Sequence, residues 1–468
     1  MTSDQPNEPA KQLTLWEEFV EQSQNIQRDD STRAGIEKSA LGDDANTLME
    51  QIVDEVIMEM AWARVKANRG APGPDGVTVK DFPEWITSCW PGVRQQLLEG
   101  TYQPSPARRV SIDKPDGGTR ELGIPNLLDR VIQTAIVLVL TPMFDPEFSE
   151  SSFGYRPCRS AQDAVKQVQK IIRGGRRWCV DMDLSKFFDR VHHDVLMARV
   201  ARKVHDKRLL KLIGRYLRAG VMVNGLCQPS TEGTMQGGPL SPLLSNIYLD
   251  DLDKELERRE LPFVRYADDF VIFTKTEVAA QRVYASVERF LNERLKLVVN
   301  HDKSRIRKAD GLEYVGYEFR GYSGQIRVSE RKLDAFKRRV SEIFRKSRGV
   351  SMKSRYAEYR SYAIGWLGYF ALDQVKTTFI NLDKWLRRRV RACYWKQWRK
   401  SKTRLKKLIS LGVSYCVARG FAMSGKGAWR LSKTSGVQRA LSIAYLTAEG
   451  MFNLEERWHS LASLRRNA

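Results

Sequence analysis

Only five of the 468 residues are histidine and six are cysteine. The histidines form no HxxxH or similar pair, so no histidine metal site is expected. The cysteines (Cys89, Cys158, Cys179, Cys227, Cys393 and Cys416) are scattered and form no CxxC pair. That excludes a zinc ribbon and a disulfide framework, and reads as reduced thiols in a cytoplasmic protein. No apolar stretch approaches 18 residues and no signal peptide is visible, so a membrane is not the expected partner. Internal repeats and low-complexity tracts are also missing. The length is too great for one simple core and implies two to four domains.

Positive charge is abundant. Lys and Arg number 78 against 56 Asp and Glu, a net charge of +22 that calls for a polyanionic partner. It is unevenly spread. Residues 1–60 carry 14 acidic and 4 basic side chains, whereas residues 331–408 carry 24 basic and 5 acidic ones. The acidic start reads as a poorly ordered extension with a short helix around Leu13–Val20. The basic stretch is where a nucleic-acid grip is expected.

The chemistry concentrates in Phe263-Val264-Arg265-Tyr266-Ala267-Asp268-Asp269-Phe270-Val271-Ile272-Phe273. Strand formers flank two adjacent carboxylates, which reads as a β-hairpin with the acidic pair at its turn. Adjacent carboxylates repel unless a cation neutralises them. Magnesium, held by one or two carboxylates together with substrate phosphates, suits that role. A second acidic strand, Trp178-Cys179-Val180-Asp181-Met182-Asp183, puts Asp181 and Asp183 on one face, and either could meet the turn. Two ions about 3.5–4 Å apart can activate a 3′-hydroxyl and stabilise leaving pyrophosphate.

Around these strands the pattern is mixed. Residues 47–67, with Asn46 as N-cap, read as one helix. Residues 68–78 read as a Gly/Pro/Asp-rich loop. Two short strands over 108–124 flank Pro115-Asp116-Gly117-Gly118, a strong turn signal. Lys114 and Arg120 thereby share one ribbon, and two cations there suit a triphosphate. Leu127–Leu140 and Val283–Leu297 read as helices and Leu312–Phe319 as a strand. After about residue 328 the chain reads as basic helix throughout, with one long helix over Leu382–Lys407. Arg387, Arg388, Arg389, Arg391, Lys396 and Arg399, interleaved with Tyr394, Trp395 and Trp398, form the expected RNA-binding stretch, although such tryptophans are more often core than base-stackers. The middle is α+β and the C-terminal third all-α.

Several ordered blocks resemble reverse transcriptases encoded by bacterial group II introns, the maturases. They are Asn68-Arg69-Gly70-Ala71-Pro72-Gly73-Pro74-Asp75-Gly76-Val77, Arg120-Glu121-Leu122-Gly123-Ile124-Pro125, Phe153-Gly154-Tyr155-Arg156-Pro157, Tyr266-Ala267-Asp268-Asp269 and Gln236-Gly237-Gly238-Pro239-Leu240-Ser241-Pro242. Gly412-Val413-Ser414 and Gly425-Lys426-Gly427-Ala428-Trp429-Arg430 match the family's C-terminal pattern, and the cysteine and histidine pairs of an endonuclease domain are missing.

The resemblance implies a right-hand polymerase: an acidic N-terminal extension over 1–60, fingers over 61–178, and a palm with an antiparallel sheet over 179–326. An all-α thumb over 327–400 and a small helical maturase domain over 401–468 complete it. It implies an RNA-directed DNA polymerase that binds group II intron RNA, promotes splicing and mobility, and uses an RNA template, a DNA primer and dNTPs. Two Mg²⁺ ions, with Mn²⁺ a possible substitute, would sit at Asp183, Asp268 and Asp269, Asp183 preceding Leu184-Ser185-Lys186-Phe187-Phe188-Asp189 as the family's catalytic aspartate does. Phe188 falls where relatives place a steric gate against ribonucleotides; on a strand either Phe187 or Phe188 would be core. Lys114, Arg120 and Gln236 would surround the nucleotide, and Lys303 would meet the pyrophosphate or simply attract phosphate. The competing readings are a host-recruited reverse transcriptase in defence or repair, and a splicing-only maturase. The expected place is the bacterial cytoplasm, at the nucleoid when acting on DNA; monomer and dimer both remain open.

Overall fold

The computed structural model describes residues 47–113, 119–223, 226–228 and 232–466. The acidic extension up to Asn46, the Pro-Asp-Gly-Gly turn and Lys114 lie outside the described residues, as does the side chain of Arg120. The chain forms two compact units, Met1–Ser160 with Val180–Ile306, and Ala161–Cys179 with Arg307–Ala468.

In order along the chain the strands are β1 (Ala107–Asp113), β2 (Thr119–Ile124), β3 (Trp178–Met182), β4 (Val221–Val223), β5 (Leu226–Gln228), β6 (Phe263–Tyr266), β7 (Asp269–Thr274), β8 (Arg305–Lys308), β9 (Glu313–Tyr314), β10 (Tyr317–Arg320) and β11 (Gln325–Val328). They make three sheets, ordered β2-β1-β4-β5, β6-β7-β3-β8 and β11-β10-β9. The β1–β2 ribbon is antiparallel and pairs Ile112 with Arg120.

The first unit is built on the helix Leu127–Phe144, which buries twelve residues including Val131, Ile132, Ile136 and Val139. Among the described residues this is the one helix long and apolar enough to cross a membrane. Burial inside the unit accounts for its composition, since a helix apolar on most sides needs a core around it. Its buried Asp129 accepts hydrogen bonds from the Tyr102 hydroxyl at 2.9 Å and the Tyr216 hydroxyl at 3.1 Å. Those bonds satisfy a charge that would otherwise be costly to bury.

In the second unit one apolar core runs from Phe336 to Leu454. The segments expected to be a thumb and a separate C-terminal domain therefore share a core. Helix Lys376–Gln397 supplies Leu382, Leu386, Val390, Trp395 and others to it.

Four local expectations change. Residues 47–67 are two helices, Leu48–Ile52 and Glu55–Ala67, because the Asp54 carboxylate accepts from the N–H groups of Val56 and Ile57 and starts a new helix. The helix placed at Val283 begins at Glu277, where the Thr276 hydroxyl accepts from Ala279 N–H. The strand placed over Leu312–Phe319 is a hairpin, β9 to β10, that turns at Val315 and Gly316 with φ of 42° and 85°. The long helix over Leu382–Lys407 is two helices, Lys376–Gln397 and Ser401–Ser410.

Candidate active site

The β6–β7 hairpin pairs Tyr266 with Asp269, so its two-residue turn is Ala267-Asp268. The acidic pair is split: Asp268 sits in the turn and Asp269 opens β7. Ala267 has φ of 61°, a left-handed conformation uncommon for a residue with a Cβ. The Phe-Gly-Tyr-Arg-Pro block packs against this turn. A Cβ on Gly154 would lie 2.2 Å from the Ala267 nitrogen, so only glycine fits there.

Strand β3 lies beside β7 in the sheet. It carries Asp181, and Asp183 follows directly after it. The segment 298–304 holds Asp183 from several directions. Its N–H donates to Ser304 Oγ at 3.0 Å, its carbonyl accepts from Asn300 N–H at 2.8 Å, and its Oδ2 accepts from Asn300 Nδ2 at 3.1 Å. Lys303 Nζ stands 3.6 Å from the same Oδ2. Asn300 and Ser304 were not among the expected site residues, although Asn300 lies three residues before Lys303 in the same polar run.

The carboxylates feel one another. Desolvation by the surrounding protein, then the charges of Asp181, Asp268 and Asp183, push the Asp269 carboxyl up to about 7. Burial and the three neighbouring carboxylates act in the same direction. Among the described residues no group of three or more acidic, histidine or cysteine side chains is placed to hold a metal ion by itself. The donor set nevertheless suits magnesium, which takes hard oxygen ligands and fills much of its shell from substrate phosphates and water. Lys303 occupies the position of a neutralising cation at Asp183.

The raised Asp269 pKa has a sign. A carboxyl held above its unfolded value binds a proton in the folded state first, so stability falls as pH rises from about 4 to about 7 and stays at the lower level above that. Without divalent metal, the melting temperature of the parent should therefore drop across that window, and Asp269→Asn should flatten the drop. Identical melting profiles of the two proteins between pH 4 and pH 8 would remove the carboxylate cluster.

Phe188 is not on a strand. Residues Phe187–Asp189 form a short 3₁₀ turn, and both rings are buried, 5.2 Å apart. Alternation therefore does not separate a core ring from a gate. Phe187 packs on Tyr248, and the Phe188 carbonyl accepts from Thr234 N–H at 2.6 Å. Its carbonyl also closes the space over Gly233, where a Cβ would lie 2.8 Å from that oxygen. The next loop carries Gln236, whose carbonyl accepts from Gly123 N–H at 2.7 Å at the end of β2. Gly237 has φ of 113° and no room for a Cβ beside the Gly123 carbonyl. The segment from Gly233 to Gly237 is thus tied to both the Phe188 turn and the β1–β2 ribbon.

The expected RNA-binding arginines divide. Arg391 is buried and donates from Nε to the Leu441 carbonyl at 2.9 Å, which corrects its placement on an RNA face. Burial lowers the pKa of both Arg391 and Arg389. Arg388 lies 3.8 Å from the Trp429 ring centroid and donates to the Trp429 carbonyl, and Arg389 lies over Trp385 of its own helix and donates to the Ser341 carbonyl at 3.4 Å. These side chains join helices to one another. Arg387 is half-buried, while Lys396 and Arg399 are exposed. Trp395 and Trp398 are core residues.

Comparison with known proteins agrees with this geometry. Residues 112–319 match the family model "Reverse transcriptase (RNA-dependent DNA polymerase)", and residues 333–409 match "Group II intron, maturase-specific domain". Protein YkfC of Escherichia coli is 34% identical over 308 residues, which cover 56% of this chain and 80% of that protein. The chain belongs to the group II intron reverse transcriptases. It is an RNA-directed DNA polymerase by family, with the maturase-specific domain following the polymerase domain. The group II intron-encoded protein LtrA of Lactococcus lactis is 30% identical over 330 residues, and the chain spans about half of its length, 55%. Among solved structures, the partial Cas6-RT-Cas1–Cas2 complex is similar at 28% identity over 53% of this chain and 42% of that one, with a TM-score of 0.34. The reverse-transcriptase match contains Asp183, Asp268 and Asp269. The maturase-specific match ends inside the helix Ser401–Ser410.

Proposed function

We propose that Asp183, Asp268 and Asp269 carry two-metal nucleotidyl transfer to a primer 3′-hydroxyl on an RNA template. The observation that supports this most is the set of carboxylates at the β3 end and the β6–β7 turn, close enough for Asp181, Asp268 and Asp183 to raise the Asp269 pKa. A pair of magnesium ions bound there would lower the pKa of the attacking hydroxyl and neutralise the triphosphate. The residues around them do the positioning. Ser304 holds the backbone of Asp183 and Asn300 Nδ2 holds its Oδ2, which together fix the carboxylate beside the turn. Lys303, 3.6 Å from Asp183 Oδ2, would be placed to meet the pyrophosphate once a bound cation neutralised that carboxylate. No side chain acts as a nucleophile, so positioning and charge neutralisation account for the rate.

The Phe188 ring, on a turn whose Phe188 carbonyl is held by Thr234 N–H, is proposed as the steric gate. Phe188→Ala should raise the ratio of ribonucleotide to deoxyribonucleotide efficiency by about tenfold or more, since one excluded hydroxyl decides between them. A ratio equal to the parent's would leave Phe188 as a core residue.

The maturase-specific match and the basic second unit support binding of group II intron RNA, with splicing and mobility as the purpose; the bacterial cytoplasm, at the nucleoid when acting on DNA, is proposed as the setting. The cations available for this are the exposed ones: Lys396, Arg399, Lys400, Lys402, Lys406 and Lys407. Replacing Lys396, Arg399, Lys400 and Lys402 with Gln should weaken intron binding and flatten the log–log salt dependence by roughly 0.7–0.9 per lost phosphate contact. Arg391→Met, in contrast, should lower the melting temperature and leave the salt slope alone. A quadruple variant whose salt titration overlays the parent's would take this surface out of the RNA interface.

A further inference from the structure

We propose that Arg265 is a positioning residue that sets the orientation of the catalytic turn. This rests on the reading of Asp268 as a metal-binding carboxylate. Arg265 is fully buried, and so is its partner Asp253. Its Nε donates to both Asp253 oxygens at 2.8 and 3.1 Å, and its Nη2 donates to Oδ2 at 2.6 Å. The third nitrogen does something else. Nη1 donates to the Ala267 carbonyl at 2.9 Å and to Asn246 Oδ1 at 3.0 Å.

The Ala267 carbonyl belongs to the peptide that joins Ala267 to Asp268. Fixing that oxygen fixes the plane of the peptide and hence the direction in which the Asp268 side chain leaves the backbone. The turn needs such a hold for two reasons. Ala267 is in the left-handed region without being glycine, a conformation that persists only where its surroundings over-determine it. The turn also carries a charge that its carboxylate neighbours repel.

The hold is closed on the other side. Asn246 Nδ2 donates to the Gly154 carbonyl at 2.9 Å, and Gly154 is the residue packed without room for a Cβ against the Ala267 nitrogen. The backbone of Arg265 pairs with the same segment, its N–H donating to Ser151 and its carbonyl accepting from Phe153. Arg265 thus grips the turn from beneath through Nη1, while Asn246 and Gly154 grip it from the side. A buried ion pair is a poor source of stability compared with apolar packing of the same volume. The bond from Nη1 to the turn gives this one a task that packing could not perform. Only a guanidinium has the donors to neutralise Asp253 and reach both Asn246 and Ala267 at once.

The test separates positioning from folding. Removing Arg265 alone strands Asp253, so the informative variants are the apolar pair Arg265→Met with Asp253→Leu, and the single change Arg265→Lys. The full-length proteins are compared in steady-state primer extension on an RNA template, with magnesium titrations and thermal melts. Both variants should melt cooperatively. Their kcat should fall on the order of 10²-fold, the scale of a misplacement near 1 Å at a reacting centre. Their KM for primer–template should stay within about twofold of the parent's, and half-saturation by magnesium should move to higher concentration. A folded apolar pair with parental kcat and parental magnesium dependence would show that Arg265 only fills space, and would overturn the proposal. If the apolar pair does not fold, Arg265→Lys decides: parental kcat in that variant overturns it equally, because one ammonium cannot reproduce the fork. If Asp268→Asn proves fully active in the same assay, the metal assignment fails, and that outcome is visible independently of either Arg265 variant.

Discussion

Asp268→Asn and Asp183→Asn should each abolish primer extension, by roughly 10³-fold or more, the scale reached when a preorganised electrostatic contact to a transition state is removed. Asparagine keeps the size of the side chain and removes the charge. In the absence of metal the same two variants should therefore be more stable than the parent, because each relieves Asp269 of a repelling neighbour. A rise in melting temperature together with loss of activity is the expected signature of a site that trades stability for function. Asp181→Asn should share the gain in stability and keep most of the activity. It adds charge to the cluster from within β3, whereas Asp183 stands at the strand end, held by Asn300, Ser304 and Lys303. Robust extension by Asp183→Asn, with loss in Asp181→Asn, would exchange the two assignments.

Gly154→Ala should be nearly as damaging, although it adds one uncharged methyl group. The new Cβ would stand 2.2 Å from the Ala267 nitrogen and 2.9 Å from the Tyr266 carbonyl carbon. Both are backbone atoms, so no side chain can rotate away and the catalytic turn itself must shift. Overpacking of this kind costs about 1–3 kcal/mol, and a displaced turn should lower kcat on the order of 10²-fold. Gly92→Ala provides the contrast, since nothing lies within 4 Å of its added Cβ. Matching rates for Gly154→Ala and the parent would mean that the Phe-Gly-Tyr-Arg-Pro block does not brace the turn.

The chemistry of this protein was legible in local patterns. Strand formers on both sides of Asp268 and Asp269 predicted the β6–β7 hairpin because strand alternation and a tight turn are short-range properties. The turn signal Pro115-Asp116-Gly117-Gly118 predicted a ribbon over 108–124, and β1 and β2 pair on either side of it. Helix breaks were less legible. Whether Asp54 or Thr276 caps a helix depends on a side chain choosing between water and a backbone N–H, and apolar spacing does not report that choice.

Charge was legible as a total and not as a surface. The run Arg387-Arg388-Arg389 with Arg391 looks like an RNA grip in one dimension. In three dimensions Arg388 rests on Trp429, 41 residues away, and Arg391 donates to the Leu441 carbonyl, 50 residues away. Arginine serves a core as readily as a phosphate because its flat guanidinium can stack and cap carbonyls.

The sequence by itself determined the family, the carboxylates and the basic C-terminal region, since each is written in contiguous residues. The tertiary structure alone decided which carboxylates meet, that Lys303 and Asn300 attend Asp183, that Gly154 braces the turn and that Arg265 reaches the Ala267 carbonyl. Those facts join segments distant in sequence, and whether a buried guanidinium is a cost or a clamp depends on which distant atoms the fold brings within hydrogen-bonding reach.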